Sequence, residues 1–371
     1  MRIGIDARLA GIENRGLGRY IENLLLNINE LDSDNEYFIF LNKNNFQRYT
    51  LNSNFKKIRI NYRWYSLAEQ IIFPFKLKKY KLDIIHYPHF NVPIFSNLKF
   101  VLTIHDLTLI HHPNRQASKM PYIIYKIKHL AYKILQRISL NKAQIIITPT
   151  RFVKDDIIEH YKINKDKINV TYEGIPSASN QTNGNKYRRL KPFLLYVGAA
   201  YPHKNLEKLI RAFNELINED DRNLRLLLVG KTDYFMNRLK EWSTSNGFDK
   251  NLVFTGQLSD NDLCNIYQSA EALVFPSLSE GFGLPGLEAQ KNSLPVAASK
   301  ITCLKEVLGK GAVYFNPFSI EDIKSKINSL LNDSPLRNKL IKYGLENIKR
   351  FSWRIMAEQT INIYNNSFYS N

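Results

Sequence analysis

Short apolar runs recur along the chain at intervals that leave room for a helix between most of them. In the first half they are Arg2–Asp6, Tyr37–Leu41, Lys57–Ile60, Asp83–His86, Phe100–Ile104, Gln144–Thr148 and Ile168–Tyr172. In the second they are Phe193–Val197, Leu224–Val229, Leu252–Thr255, Ala272–Phe275, Pro295–Ala298 and Val313–Phe315. Runs this short, dominated by Ile, Val, Leu and Phe, suit strands buried on both faces of a parallel sheet. The stretches Ile21–Ile28, Leu206–Ile217, Asp260–Ser269 and Ile320–Leu331 carry the spacing of amphipathic helices, and Phe351 to Phe368 reads as one more. Strand and helix alternating twice over predicts two doubly wound, Rossmann-like α/β domains. The polar, aperiodic run from Pro176 to Lys186 is the natural linker between them. The domains then span residues 1–178 and 188–350, with 351–371 as a closing helix. Two such domains facing each other across a cleft would turn their strand C-terminal ends toward it, where ligands bind.

A length of 371 residues supports two ordinary cores, and 44% apolar with 23% charged residues is the composition of a globular protein. The start has no signal-peptide pattern, and no run approaches the roughly 18 apolar residues of a membrane span. Cys264 and Cys303 lack metal-ligand spacing and suit free thiols, so a cytoplasmic location is expected. Charge changes the picture more. The net +18 is divided as +12 over residues 1–180 (27 bases, 15 acids) and +6 over the rest (25 bases, 19 acids). Between Asp106 and Asp155 there are nine bases and no acid. Such a surface attracts nucleic acid, an acidic bilayer or a pyrophosphate-bearing substrate. The stretch from Pro121 to Ile138 mixes aromatics, aliphatics and bases, as does Phe73–Lys81. Either these dock on an anionic membrane surface, or they are core helices with solvated basic faces.

The densest chemistry is Ser277-Leu-Ser-Glu280-Gly-Phe-Gly-Leu-Pro285-Gly-Leu-Glu288. It follows a predicted strand. Gly281 and Gly283 permit a sharp turn close to a ligand, and Pro285 suits a helix start, whose free N–H groups favour anionic oxygens. Carboxylates would repel a phosphate, so Glu280 and Glu288 are expected to accept hydroxyl groups, of a sugar on one side and a ribose on the other. The plainer alternative is a capping glutamate and a helix-dipole glutamate. Lys204, at a strand-to-helix corner after Gly198, could neutralise a diphosphate, or be a solvated surface lysine. His105 closes a strand, where its imidazole could bond a sugar or serve the fold; Asp106 would orient it or cap the next turn. Gly16 and Gly18 precede a periodic helix after the first strand, an incomplete phosphate-binding fingerprint, and Gly230 could be an ordinary turn glycine. Asp32-Ser-Asp34 sits in a polar turn, so it is read as turn chemistry and no metal is expected.

In combination, Gly-Leu-Gly-Arg-Tyr20, His105-Asp-Leu, Pro202-His-Lys-Asn, Glu280-Gly-Phe-Gly-Leu-Pro-x-x-Glu288 and Phe351-Ser-Trp resemble family 4 retaining glycosyltransferases of the GT-B fold. The chain is similar to bacterial surface-polysaccharide mannosyltransferases over nearly its whole length. The resemblance implies transfer of a hexosyl group, with mannosyl favoured, from a GDP- or UDP-sugar to a saccharide acceptor, with retention and without a required cofactor; the basic face of the first domain fits an acceptor that is lipid-linked. It implies that His105, Lys204 and Glu280 act at the reacting sugar. The donor would be held by Gly16, Gly18, Gly198, Lys204, Gly230, Gly281, Phe282, Gly283, Leu284 and Glu288. The first domain would be the acceptor side, the closing helix would pack back on it, and the enzyme could sit peripherally on the inner face of the cell membrane. Two departures stand out: Ala199 and His203 occupy positions where many members carry arginine. Other GT-B enzymes, such as a sugar-nucleotide epimerase or a phosphorylase, are the alternatives. A nucleic-acid-binding protein is a poorer one, since a Glu-lined glycine loop would oppose that ligand.

Overall fold

The computed structural model describes residues 1–62, 66–113, 122–176, 186–219 and 223–369. Most of the polar linker, and Pro121 at the head of the basic helix, lie outside the described residues. By its internal contacts the chain divides into two units. One takes in Met1–His111, the segment that ends at Gly174, and the tail from Phe351; the other takes in Ile175–Arg350.

The first unit is built on a parallel sheet of seven strands: β1 (Arg2–Asp6), β2 (Glu36–Leu41), β3 (Phe55–Arg59), β4 (Ile84–Tyr87), β5 (Phe100–Thr103), β6 (Ile145–Thr148) and β7 (Ile168–Val170). Their spatial order is β3-β2-β1-β4-β5-β6-β7. Successive residues of one strand enter opposite cores. On β2, Tyr37, Ile39 and Leu41 join one core, and Phe38 and Phe40 the other. That is why strands such as β2, β5 and β6 are apolar nearly throughout instead of alternating, while β3 at the sheet edge carries Lys56, Lys57 and Arg59. Helix α1 (Arg15–Leu31) covers one face together with the tail helix α13 (Trp353–Tyr369), through Leu24, Leu25, Ile28, Met356 and Tyr364. Helices α2 (Leu67–Lys78) and α5 (Arg151–Tyr161) cover the other through Phe73, Leu77, Val153 and Ile157. Each such side chain stabilises by about 1.5–3 kcal/mol on full burial. Two further helices, α3 (Thr108–His111) and α4 (Tyr122–Lys142), follow β5. The tail turns onto this unit at Gly174, where a Cβ would stand 2.2 Å from the Trp353 nitrogen.

The second unit repeats the design with six parallel strands: β8 (Phe193–Val197), β9 (Arg225–Val229), β10 (Leu252–Gly256), β11 (Ala272–Phe275), β12 (Val296–Ser299) and β13 (Ala312–Phe315). The order is β10-β9-β8-β11-β12-β13. Its helices are α6 (Leu206–Glu219), α7 (Tyr234–Ser245), α8 (Asp260–Tyr267), α9 (Leu284–Lys291), α10 (Thr302–Leu308), α11 (Ile320–Asn332) and α12 (Ser334–Asn347). In each sheet the order reverses beside the first strand of the unit. Loops leaving the carboxyl ends there are where a doubly wound sheet binds ligands.

One local expectation changes. Gly16 and Gly18 are not a loop ahead of a helix: α1 starts at Arg15, so both lie in its opening turns. Gly18 is there for packing, since a Cβ on it would come within 1.9 Å of the Gly11 carbonyl oxygen.

Candidate active site

In the second unit the ends of β8, β9 and β10 are locked by glycines. Gly198 has φ +153° and gives its N–H to the Val229 carbonyl at 2.9 Å. A Cβ on Gly230 would stand 2.1 Å from the Gly198 oxygen, and the Gly230 N–H donates to the Gly256 carbonyl at 3.2 Å. Strand-end packing by itself requires a glycine at Gly230. Beyond Gly198 the chain makes one short turn, Pro202–Lys204, and Asn205 takes a left-handed conformation with φ +58°. Asn205 directly precedes α6, and its carbonyl accepts from the Leu209 N–H at 3.2 Å. Its side-chain amide donates to the carbonyls of Pro276 and Pro317, at 3.2 and 2.8 Å. The Leu278 N–H donates to the His203 carbonyl at 2.7 Å. These bonds fasten the Lys204 turn onto the loop after β11.

The result is direct contact between two residues 76 positions apart: Lys204 Nζ donates to Glu280 Oε1 at 2.6 Å. The pair is largely shielded, with 18% of the lysine and 11% of the glutamate side chain exposed. Gly283 then adopts φ +97° as the residue ahead of α9, and a Cβ there would approach Leu304 to 2.8 Å. Leu284 is the first helical residue and Pro285 the second, so Glu288 falls just beyond the first turn. Glu288 accepts from the Tyr267 hydroxyl at 2.8 Å, across from α8. Gly281 is buried, as is Phe282, 5% exposed. The Cys303 thiol approaches the Phe282 carbonyl at 3.7 Å.

In the first unit His105 follows β5. Its Nε2 lies 3.1 Å from the Pro88 carbonyl oxygen and its Nδ1 3.2 Å from Glu173 Oε1. The ring stands edge-on to Tyr20 of α1, with centroids 4.6 Å apart. Asp106 does not orient this imidazole; it accepts from the Thr108 N–H at 2.8 Å and so caps α3. The orienting carboxylate is Glu173, buried just after β7 and not anticipated. Its one sequence signal was an acid directly after an apolar strand. Behind His105, buried His86 bonds Thr103 Oγ1 at 2.8 Å and the Tyr364 hydroxyl of α13 at 2.6 Å. Burial, with a smaller contribution from His105, lowers the His86 pKa to about 3, so this ring is neutral at ordinary pH. At the start of α1, Asn14 gives its amide to the Leu9 carbonyl instead of capping the helix. First-turn N–H groups have no intrahelical acceptor, and around Gly16 nothing lies within 4 Å of where a Cβ would be.

Asp32 serves its own turn, accepting from the N–H groups of Asp34 and Asn35 and, at 2.6 Å, from the Tyr37 hydroxyl. Burial works against its ionisation, and the bonds from Asn35 and Tyr37 outweigh it, leaving the pKa below the usual value. Among the described residues no group of three or more His, Cys, Asp or Glu is arranged to hold a metal ion. Among them, too, no helix is long and apolar enough to cross a membrane.

A cation paired to a glutamate, next to strand-end glycines and a left-handed glycine that opens a helix, has the chemistry to meet an anionic, hydroxylated ligand. Comparison with known proteins identifies the family. Residues 15–178 match the sequence profile Glycosyltransferase Family 4, and residues 180–347 match Glycosyl transferases group 1. The O-antigen chain mannosyltransferase RfbU of Salmonella typhimurium is 30% identical over 298 residues, 79% of this chain and 78% of that protein. O-antigen chain mannosyltransferase B of Escherichia coli is 30% identical over 303 residues, 78% of this chain and 75% of that one. In three dimensions, Anabaena Alr3699/HepE, crystallised with UDP-glucose, superposes with a TM-score of 0.73 at 13% identity, over 98% of this chain and 99% of that one. The fold is GT-B, and the chain belongs to the family 4, group 1 glycosyltransferases.

Proposed function

We propose that this glycosyltransferase moves a mannosyl group, with retention, from a nucleoside-diphosphate sugar to a lipid-linked saccharide in surface-polysaccharide synthesis, with no divalent ion or cofactor required. The sugar and the process are supported by the names of the two relatives. The observation that carries the site assignment is the Lys204–Glu280 pair at 2.6 Å. A lysine shielded from water and already aimed by a carboxylate can neutralise a departing diphosphate without costly reorganisation. The bond from the anomeric carbon to the phosphate oxygen breaks as the acceptor oxygen bonds to the same face of that carbon. The acceptor proton passes to the departing phosphate. Lys204 stabilises the charge that develops, Glu280 holds the lysine and accepts a sugar hydroxyl, and backbone N–H groups after Glu280 complete the cradle. His105 meets the sugar by exchanging its Pro88 contact for a hydroxyl, while Glu173 keeps the ring in place.

The same reading places the enzyme at the inner face of the cell membrane, on an anionic surface. Its support is the exposure of apolar side chains beside bases. On α4, Ile123, Ile127, Leu130 and Ile134 are all more than half exposed, in company with Lys126 and Lys133. A core helix with a solvated basic face would bury those positions. Incubating purified protein with GDP-mannose, UDP-glucose and related donors, with lipid-extracted saccharide acceptor and EDTA, tests the whole proposal. Mannosyl transfer with retained anomeric configuration, unaffected by EDTA, is expected. Inversion, dependence on added metal, or donor turnover with no acceptor product would overturn it.

A further inference from the structure

The first unit carries a pocket that has no part in the site above. It measures about 480 Å³ and is walled by Ile71, Pro74, Phe75 and Lys78 of α2 and by Phe95 and Leu98 of the loop before β5. That volume is within the range of small-molecule sites, roughly 300–1,000 Å³. The loop is firmly tied. The Gln70 side chain accepts from the Ile94 N–H at 3.1 Å and donates to the Val92 carbonyl at 3.3 Å, and Lys142 Nζ donates to the Ile94 carbonyl at 2.8 Å. Ser96 and Asn97 also line the pocket, and the Ser96 hydroxyl accepts from the Leu98 N–H at 3.3 Å. What faces the pocket is mostly hydrocarbon, and its rim is apolar too: Phe75 and Phe95 are 64% and 67% exposed. The Lys78 ammonium stands 5.0 Å from the Phe75 ring centroid. Exposed aromatic rims of this kind mark binding sites on otherwise polar surfaces.

Charge decides among occupants. From Gln70 to Lys154 the sequence has fourteen bases and two acids, Asp83 and Asp106. A second copy of this face would bring bases against bases. An alkyl chain ending in an anionic phosphate fits both the hydrocarbon walls and the lysine at the rim.

We propose that the pocket between α2 and the Phe95–Leu98 loop binds one acyl chain of an anionic phospholipid from the bilayer, with the headgroup phosphate at Lys78. The proposal rests on the membrane reading above and adds to it a discrete, saturable site. Titration calorimetry of the full chain with dioctanoyl phosphatidylglycerol, kept below its aggregation concentration, tests it. One saturable site per chain is expected. Lys78→Glu, and separately a change to dioctanoyl phosphatidylcholine, are each expected to weaken binding by at least about tenfold. Ile71→Trp, which fills the pocket, is expected to abolish it, with thermal melting and sugar transfer to a soluble acceptor unchanged. Flotation with anionic vesicles is run in parallel. Flotation without saturable binding of the monomeric lipid would overturn the pocket and leave the membrane reading intact, and failure of both would remove both. Equal affinity for the two lipids, tighter binding of farnesyl phosphate, or dimerisation that Phe95→Asp abolishes would also overturn it.

Discussion

At the scale of single residues, the site turns on which carboxylate meets which base. Lys204 and Glu280 each shield the other from water, so removing one leaves a charge uncompensated. Glu280→Ala is expected to reduce transfer by at least about a hundredfold, with circular dichroism unchanged; near-normal turnover would remove Glu280 from the site. The pairing itself has a separate test. Lys204→Met and Glu280→Gln should each destabilise, and the double variant should recover about 0.5–3 kcal/mol of their summed loss in urea unfolding. Strict additivity would mean that the contact carries no energy. The motif around Glu280 was legible because glycines, proline and paired acids at that spacing have few other uses. The partnership of His105 with Glu173 was not legible. Sixty-eight residues separate them, and of the two roles open to Asp106, the nearer acid, the structure shows the capping one.

Elements explain what a motif does when its residues fall into regular structure. Gly-Leu-Gly in the first domain suggested a loop, yet α1 already includes it, and its two glycines have different surroundings. At Gly18 a methyl group would strike the Gly11 carbonyl, whereas at Gly16 it would meet open space. Gly18→Ala should therefore destabilise by about 1–3 kcal/mol. Gly16→Ala should change stability by no more than about 1 kcal/mol, and in the helix-favouring direction. Gly16→Ala is expected to raise KM for the nucleotide sugar without lowering the melting temperature. Differential scanning calorimetry checks the stabilities and initial rates against donor concentration check KM, and equal destabilisation by the two changes would contradict the packing described.

For the whole molecule, the notable connection is the return of the tail to the first unit. Tyr364 reaches across the core to His86, which joins Thr103 and, through it, Tyr20 at 3.2 Å beside His105. The closing helix is thus pinned by a ring that must stay neutral. Because the folded pKa of His86 is lowered to about 3, the unfolded chain binds its proton first as pH falls below the ordinary histidine value. Stability from this residue is complete above that value and declines with acid. From pH 6.5 to 5 the loss should be about 1.6 kcal/mol, read as faster hydrogen exchange in α13. His86→Gln should flatten the dependence, and an unchanged slope in that variant would assign it to other groups.

By itself the sequence determined the strands, their burial on both faces, the two-domain plan and the glycine and carboxylate motif, because these depend on residue type over a few neighbouring positions. Only the tertiary structure decided that Lys204 faces Glu280, that Glu173 and not Asp106 holds His105, and that the isoleucines of α4 face outward. Those outcomes depend on which loops the sheet order brings side by side. Nothing along the chain encodes that proximity locally, since it is the packing of whole elements that sets it.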